Sequence, residues 1–165
     1  MRPVVVSDVG PLIALAGCGQ LELLIAVFDE IHIPQAVLDE TTADQSRRGA
    51  ADIAAFVRQH ATLHANRRDA IYKAAVSHLD EGEAQALSLA HALGCGVLMD
   101  ERRGRQEAQR QGLPLFGVLG VLLQAKRLGE LAAVAPLLDK MQQNGYRIST
   151  DLIAAALDIA GESRN

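Results

Sequence analysis

Two short apolar runs in this chain end on an acid: Val4-Val5-Val6-Ser7 leads into Asp8, and Gly96-Val97-Leu98-Met99 leads into Asp100. A continuous apolar stretch of that length, closed by turn residues, predicts a strand buried on both faces. After the first run Gly10-Pro11 punctuates the chain, and helical spacing follows over Leu12–Ala16 and Leu21–Phe28, broken by Gly17-Cys18-Gly19. Ile31-His32-Ile33 predicts a second strand, and Pro34 suits the first turn of a helix containing Val37, Leu38 and Glu40. The polar stretch 43–49 predicts a loop, Ala50–Gln59 a helix and Ala61–Ala65 a weak strand. Asp80 and Glu83 have the spacing of a capping box, opening a helix that runs to Leu93 and stops at Gly94. Beyond Asp100 the pattern predicts a helix from about Arg102 to Gln111, a short strand near Leu115, and helices over Val118–Arg127 and Ala133–Gln143. Leu152, Ile153, Ala156, Leu157 and Ala160 mark a final amphipathic helix.

Strands alternating with helices imply an α/β fold with a mostly parallel sheet covered on both faces. Such folds bind their ligands outside the carboxyl ends of the strands. Asp8 and Asp100, both at strand ends, therefore point to one edge, and Glu40 and Glu83 lie near the starts of their helices. Carboxylates that meet repel one another, and a hard divalent cation is the usual means of holding them together. Each acid also has an ordinary reading: a helix cap for Asp8, a capping box for Glu83, a favourable dipole position for Glu40. Asp80, Glu81 and Glu101 stand beside these, and spacing alone does not choose among them.

Composition narrows the partners. The 165 residues are 49% hydrophobic but only 3% aromatic, so one aliphatic core within a single domain, 1–165, is expected. A net charge of −4 leaves no global basic excess, so a nucleic acid would have to be held by a local patch or by metal. Arg102, Arg103, Arg105 and Arg110 form such a patch just after Asp100; they read either as a solvated helix face or as a clamp for phosphates. Cys18 and Cys95 lack paired spacing and read as reduced, buried thiols. Met1-Arg2-Pro3 leads into a strand rather than a secretory segment, and no apolar run approaches the roughly 18 residues of a membrane span. A cytoplasmic protein without a membrane partner is expected.

His60 and His64 have the i,i+4 spacing of a zinc pair but no third ligand in register, and His32, His78 and His91 read as ordinary histidines. The chain has no G-x-S-x-G, no Walker A and no G-x-G-x-x-G. An aspartyl-phosphate phosphatase would want an acid two residues past Asp8, where Gly10 stands; a receiver domain would want an acidic pair at the first strand and a lysine within 114–118.

The ordered set of segments resembles a known family. Ser7-Asp8 with Pro11-Leu12-Ile13-Ala14-Leu15-Ala16, Ile33-Pro34 with Val37 and Glu40, and Leu79-Asp80-Glu81-Gly82-Glu83-Ala84 are similar to PIN domains. Leu98-Met99-Asp100-Glu101-Arg102-Arg103-Gly104, Gly117-Val118-Leu119-Gly120-Val121-Leu122 and Gly145-Tyr146-Arg147-Ile148-Ser149 continue the likeness, which spans Val4 to about Glu162. It points to a subfamily of small prokaryotic PIN-like proteins related to the toxin nucleases of type II toxin–antitoxin pairs. The resemblance implies a three-layer α/β/α sandwich, acids around Mg²⁺ or Mn²⁺, hydrolysis of single-stranded RNA, a cognate antitoxin encoded nearby and frequent homodimers. The family's acidic positions carry over onto Asp8, Glu40, Glu83 and Asp100 as catalytic and metal-binding residues, with Arg102, Arg103 and Arg105 toward the substrate. The chain departs from the family where relatives often carry small polar residues after the first Asp, here Val9 and Gly10, and where they often offer a hydroxyl, here Val118. Those departures motivate the alternative of a PIN-like module that binds RNA or a partner with little or no turnover.

Overall fold

Val4–Ser7 forms the central strand β1, and its alternate side chains feed two cores: Val5 packs into one face and Val6 into the other, both fully buried. The computed structural model describes residues 1–47 and 49–163; position 48, in the polar stretch expected to be a loop, lies outside the described residues. Helix α1 (Val9–Gly17) follows β1 directly, then α2 (Leu23–Val27), β2 (Glu30–Pro34), α3 (Gln35–Thr42), α4 (Ala50–His60) and β3 (Thr62–His64). The chain continues through α5 (Ala70–Ala75), α6 (Glu81–Leu93), β4 (Gly96–Leu98), α7 (Arg102–Arg110) and β5 (Leu115–Phe116). Three helices complete the described residues: α8 (Val118–Arg127), α9 (Ala135–Gln143) and α10 (Thr150–Ile159).

The five described strands lie in the order β3-β2-β1-β4-β5, and every pairing is parallel. One face carries the larger core, where Leu12, Leu15, Val37, Ile53, Leu122, Leu138 and Met141 meet; α6 with α5 and α7 covers the other face. The result is the three-layer α/β/α sandwich with a parallel sheet that the alternation of elements predicts. The strand order reverses between β1 and β4, because the chain first builds outward to β3 and then crosses back to the other side of β1. That reversal opens a crevice at the carboxyl ends of the two strands.

Three local expectations are corrected. Helix α1 begins at Val9 rather than Leu12, so Gly10-Pro11 is its first turn and not a break. Proline is tolerated there because the first turn's N–H groups have no intrahelical partner. Regular α-helix in the Leu21–Phe28 stretch is confined to Leu23–Val27. Helix α5 has no counterpart in the sequence reading; it is one short segment started by Asp69, whose side chain accepts from the Tyr72 amide at 2.9 Å.

Two clasps fix the C-terminal helices. Glu162 accepts from Lys126 Nζ (2.7 Å) and from the Val134 and Ala135 amides (2.9 and 3.0 Å), tying the end of α10 to α8 and to the start of α9. The Lys126 ammonium and those amides hold the Glu162 carboxyl down at about 2. At the other end of α9, Asn144 Nδ2 donates to the Gly17 carbonyl at 3.1 Å. Among the described residues no helix is long and apolar enough to cross a membrane.

Candidate active site

Asp8 extends the ladder of β1: its amide donates to the Leu98 carbonyl at 2.9 Å, which sets it beside the end of β4. Its position is the N-cap of α1, yet its side chain makes no capping hydrogen bond. The residue is 4% exposed, and Oδ1 is buried with no hydrogen-bond partner among the described residues. A buried, unsatisfied carboxylate oxygen is costly, which argues for a ligand rather than for a cap. Burial pushes the Asp8 carboxyl up to about 7; the Val9 amide opposes this, and the charges of Asp80, Glu40 and Glu101 add to it.

Helix α3 brings Glu40 to the same place from β2, and α6 brings Glu83. The point where a Cβ on Gly82 would stand is 3.1 Å from Glu40 Oε2 and 3.5 Å from Asp8 Oδ1, so both oxygens converge on one bare stretch of α6. Glu83 is the next residue, 8% exposed, and its amide donates to the Asp80 N-cap side chain at 2.8 Å. Its Oε2 lies 3.2 Å from the Cβ position of Gly104 on α7. Burial raises the Glu83 carboxyl strongly, and Asp80, Asp8 and Glu101 raise it further. Glu40 moves the same way, through its partial burial and Asp80, with Arg47 pulling it back.

Asp100 lies two residues beyond the last residue of β4, at the start of α8. Both of its oxygens accept from the Val118 amide, at 3.3 and 3.2 Å, and Oδ2 also accepts from the Tyr146 hydroxyl. A Cβ on Gly117 would come within 2.7 Å of Asp100 Oδ1, so glycine is what lets the carboxylate reach that amide. Asp8, Asp100, Glu101, Tyr146 and Arg147 line one cleft of about 290 Å³, and Glu40, Asp80, Glu81 and Gly82 line a neighbouring one of about 540 Å³.

The four acids named from the sequence therefore gather at one edge, with Asp80 and Glu101 in their field. Sequence reasoning missed the three glycines, 82, 104 and 117, that give the acids room, and it missed Tyr146. The signal for Tyr146 was present: it follows Gly145, a helix stop, inside a segment already noted for its likeness to relatives.

The donor set fits a hard divalent cation, since it is made of carboxylate oxygens and includes the orphaned Asp8 Oδ1. Among the described residues no three His, Cys, Asp or Glu side chains yet converge on one point closely enough to hold an ion, so binding would require side-chain closure. The arginines divide. Arg102 and Arg103 are exposed on the first turn of α7. Arg105 spends Nη1 on the Met99 and Phe116 carbonyls (2.7 and 3.3 Å), bracing the ends of β4 and β5. Arg110 is paired with Glu107 at 2.6 Å, away from the acids.

The histidine spacing does not make a zinc pair. His60 ends α4 against Phe56, whereas His64, on β3, meets His32 of the neighbouring strand (His64 Nε2 to His32 Nδ1, 2.8 Å). The change from helix to strand between positions 60 and 64 separates the two rings. Cys18 and Cys95 are both free thiols.

Comparison with known proteins agrees with this architecture. Among solved structures, a PilT N-terminus domain protein from the hyperthermophilic archaeon Sulfolobus solfataricus P2 is similar at 14% identity and a TM-score of 0.53, covering 74% of this chain and 92% of that one. PAE2754 from Pyrobaculum aerophilum is similar at 19% identity and a TM-score of 0.53, covering 79% of this chain and all of that one. At these identities the likeness is one of fold. None of the curated proteins matches. The profile of the family DUF3368, a PIN domain, matches residues 4–162. PIN domains are generally nucleases, so hydrolase chemistry and nucleic-acid binding attach to the chain at that coarse level. The chain belongs to the PIN-domain family.

Proposed function

We propose that the 165 residues act as one nuclease domain, a metal-dependent endoribonuclease that cleaves single-stranded RNA. The observation that carries the reading is the buried Asp8 Oδ1, without a partner among the described residues, amid acids from four separate segments. Asp8 and Asp100 would hold Mg²⁺ or Mn²⁺ directly, and Glu40 and Glu83 would hold the ion or its waters. The cation supplies Lewis-acid activation of water and charge neutralisation at the scissile phosphate. Water attacks phosphorus in line, the P–O3′ bond breaks, and the products carry a 5′-phosphate and a 3′-hydroxyl. Around that centre the protein orients the chain. Arg102 and Arg103, exposed beside Asp100, take neighbouring phosphates, and Arg105 keeps the ends of β4 and β5 in register so that Asp100 stays at the cleft.

The reading extends to the cell. Such a nuclease must be silenced, and its resemblance to toxin nucleases supports the toxin half of a type II pair, working as a cytoplasmic homodimer with an antitoxin encoded nearby. Cleavage of single-stranded RNA with Mg²⁺ or Mn²⁺, comparing wild type with Asp8→Asn and Asp100→Asn, tests the chemistry. The expected loss is at least 100-fold in each variant; equal cleavage by all three removes this site. A second reading is a module that binds RNA or a partner with little turnover. It is favoured by Val118, which offers only its amide, and by the fact that among the described residues no three such acids converge on one point. Metal-independent RNA binding without cleavage would select it.

A further inference from the structure

We propose that Tyr146 is a positioning residue for Asp100, its phenol hydroxyl holding the carboxylate in the orientation from which it takes up a divalent cation. The inference rests on the metal-site reading above and adds to it a residue from a helix cap that otherwise has no part in the site.

The placement of Tyr146 begins with the end of α9. Gly145 has a φ of +90°, the left-handed conformation that glycine adopts at little cost. Its amide donates to the Gln142 carbonyl at 3.0 Å, and the Tyr146 amide donates to the Met141 carbonyl at 2.9 Å. Those two bonds form a Schellman motif, which turns the chain sharply and sends the residue after glycine back along the helix. Asn144 pins the same turn to α1 through the Gly17 carbonyl. The Tyr146 ring consequently lies over the first turn of α1, with Cε2 and the hydroxyl both 3.8 Å from the Cβ position of Gly10. From there the hydroxyl donates to Asp100 Oδ2.

Asp100 needs that support. Helix α8 contributes one amide, from Val118, and residue 118 has no side-chain donor. A carboxylate held by one amide shared between both oxygens can still swing about its χ2 torsion, which is broad for an sp² terminus. A second donor on Oδ2, the Tyr146 hydroxyl, restricts that freedom beside the cleft that Asp100 and Tyr146 both line. Outer partners of this kind orient ligating carboxylates, and their loss typically costs 10–100-fold in metal affinity. The cost is separable from packing, because phenylalanine would keep the ring over α1 and remove only the donor.

Calorimetric titration of the full chain with Mn²⁺, at wild type, Tyr146→Phe, Tyr146→Leu and Asp8→Asn, tests this. Tyr146→Phe is expected to lose only the small Tm increment of one hydrogen bond while binding Mn²⁺ about tenfold more weakly. The low-temperature spin-resonance spectrum of bound Mn²⁺ should also broaden as the carboxylate loses its fixed orientation. Tyr146→Leu should lose both affinity and Tm. If Tyr146→Phe binds as tightly as wild type or more tightly while Asp8→Asn loses binding, the positioning role is overturned and the metal site stands. If wild type takes up no Mn²⁺, the metal site itself fails and the positioning role falls with it.

Discussion

Asp8 and Asp100 close neighbouring parallel strands, follow the same kind of apolar run and line one cleft, yet their surroundings are opposite. Asp8 is sealed in, its Oδ1 has no partner among the described residues, and burial and neighbouring acids push its carboxyl up to about 7. Asp100 is satisfied on both oxygens by the Val118 amide and on one by Tyr146. The first acid is costly to keep ionised and gains by meeting a cation; the second is already hydrogen-bonded at a helix start. One acid of the pair stores the demand for metal and the other supplies a fixed ligand.

The largest effect that would separate them is on stability without metal. Asp8→Asn should stabilise the metal-free protein by about 2–4 kcal/mol at pH 8, by removing a buried anion whose carboxyl burial pushes up to about 7. Asp100→Asn should instead cost about 1–2 kcal/mol, by weakening two hydrogen bonds and a charge at the start of α8. Urea unfolding in chelator decides this, and a loss of stability in both would erase the contrast.

The pH dependence follows in the same direction. A carboxyl raised in the fold favours its protonated form there. Its contribution is complete below about pH 4 and is lost as pH rises through about 7. The metal-free wild type should therefore lose Tm between about pH 5 and 8, Glu83 should add to the loss, and Asp8→Asn should flatten much of it. A thermal-melt series in chelator tests the slope; Mn²⁺ should restore the Tm of wild type at pH 8.

Gly117→Ala should rank next. Its methyl would meet Asp100 Oδ1 and the Arg105 guanidinium, both pinned by hydrogen bonds, at a cost of about 1–3 kcal/mol. The smallest change is expected at Gly82→Ala, where the methyl meets the free ends of Glu40 and Val9. Helix propensity offsets that crowding, leaving a net change within about 1 kcal/mol. Equal costs at positions 82 and 117 would mean that Asp100 is no better held than the acids around Asp8.

Much of this was legible in the chain. Apolar runs ending in acids located the central strands, and the alternation of elements located the edge where ligands bind. Asp8 could be singled out because a buried parallel strand has nowhere to put a charge except beyond its end. Other features were not legible. Gly10-Pro11 reads as a break but serves as a first helical turn, since proline's missing N–H costs nothing there. Four arginines within nine residues read as one patch, yet Arg105 and Arg110 are committed to carbonyls and to Glu107.

The sandwich, its parallel sheet and the candidate acids follow from local patterns along the chain, because periodicity and turn chemistry each act within a few residues. Which acid is held and which, among the described residues, has an oxygen without a partner is set by long-range packing. That difference depends on where α6, α8 and the cap of α9 deliver Gly82, the Val118 amide and the Tyr146 hydroxyl. Those groups lie 18 to 74 residues from the acids they meet, and no local pattern records a contact at such separations.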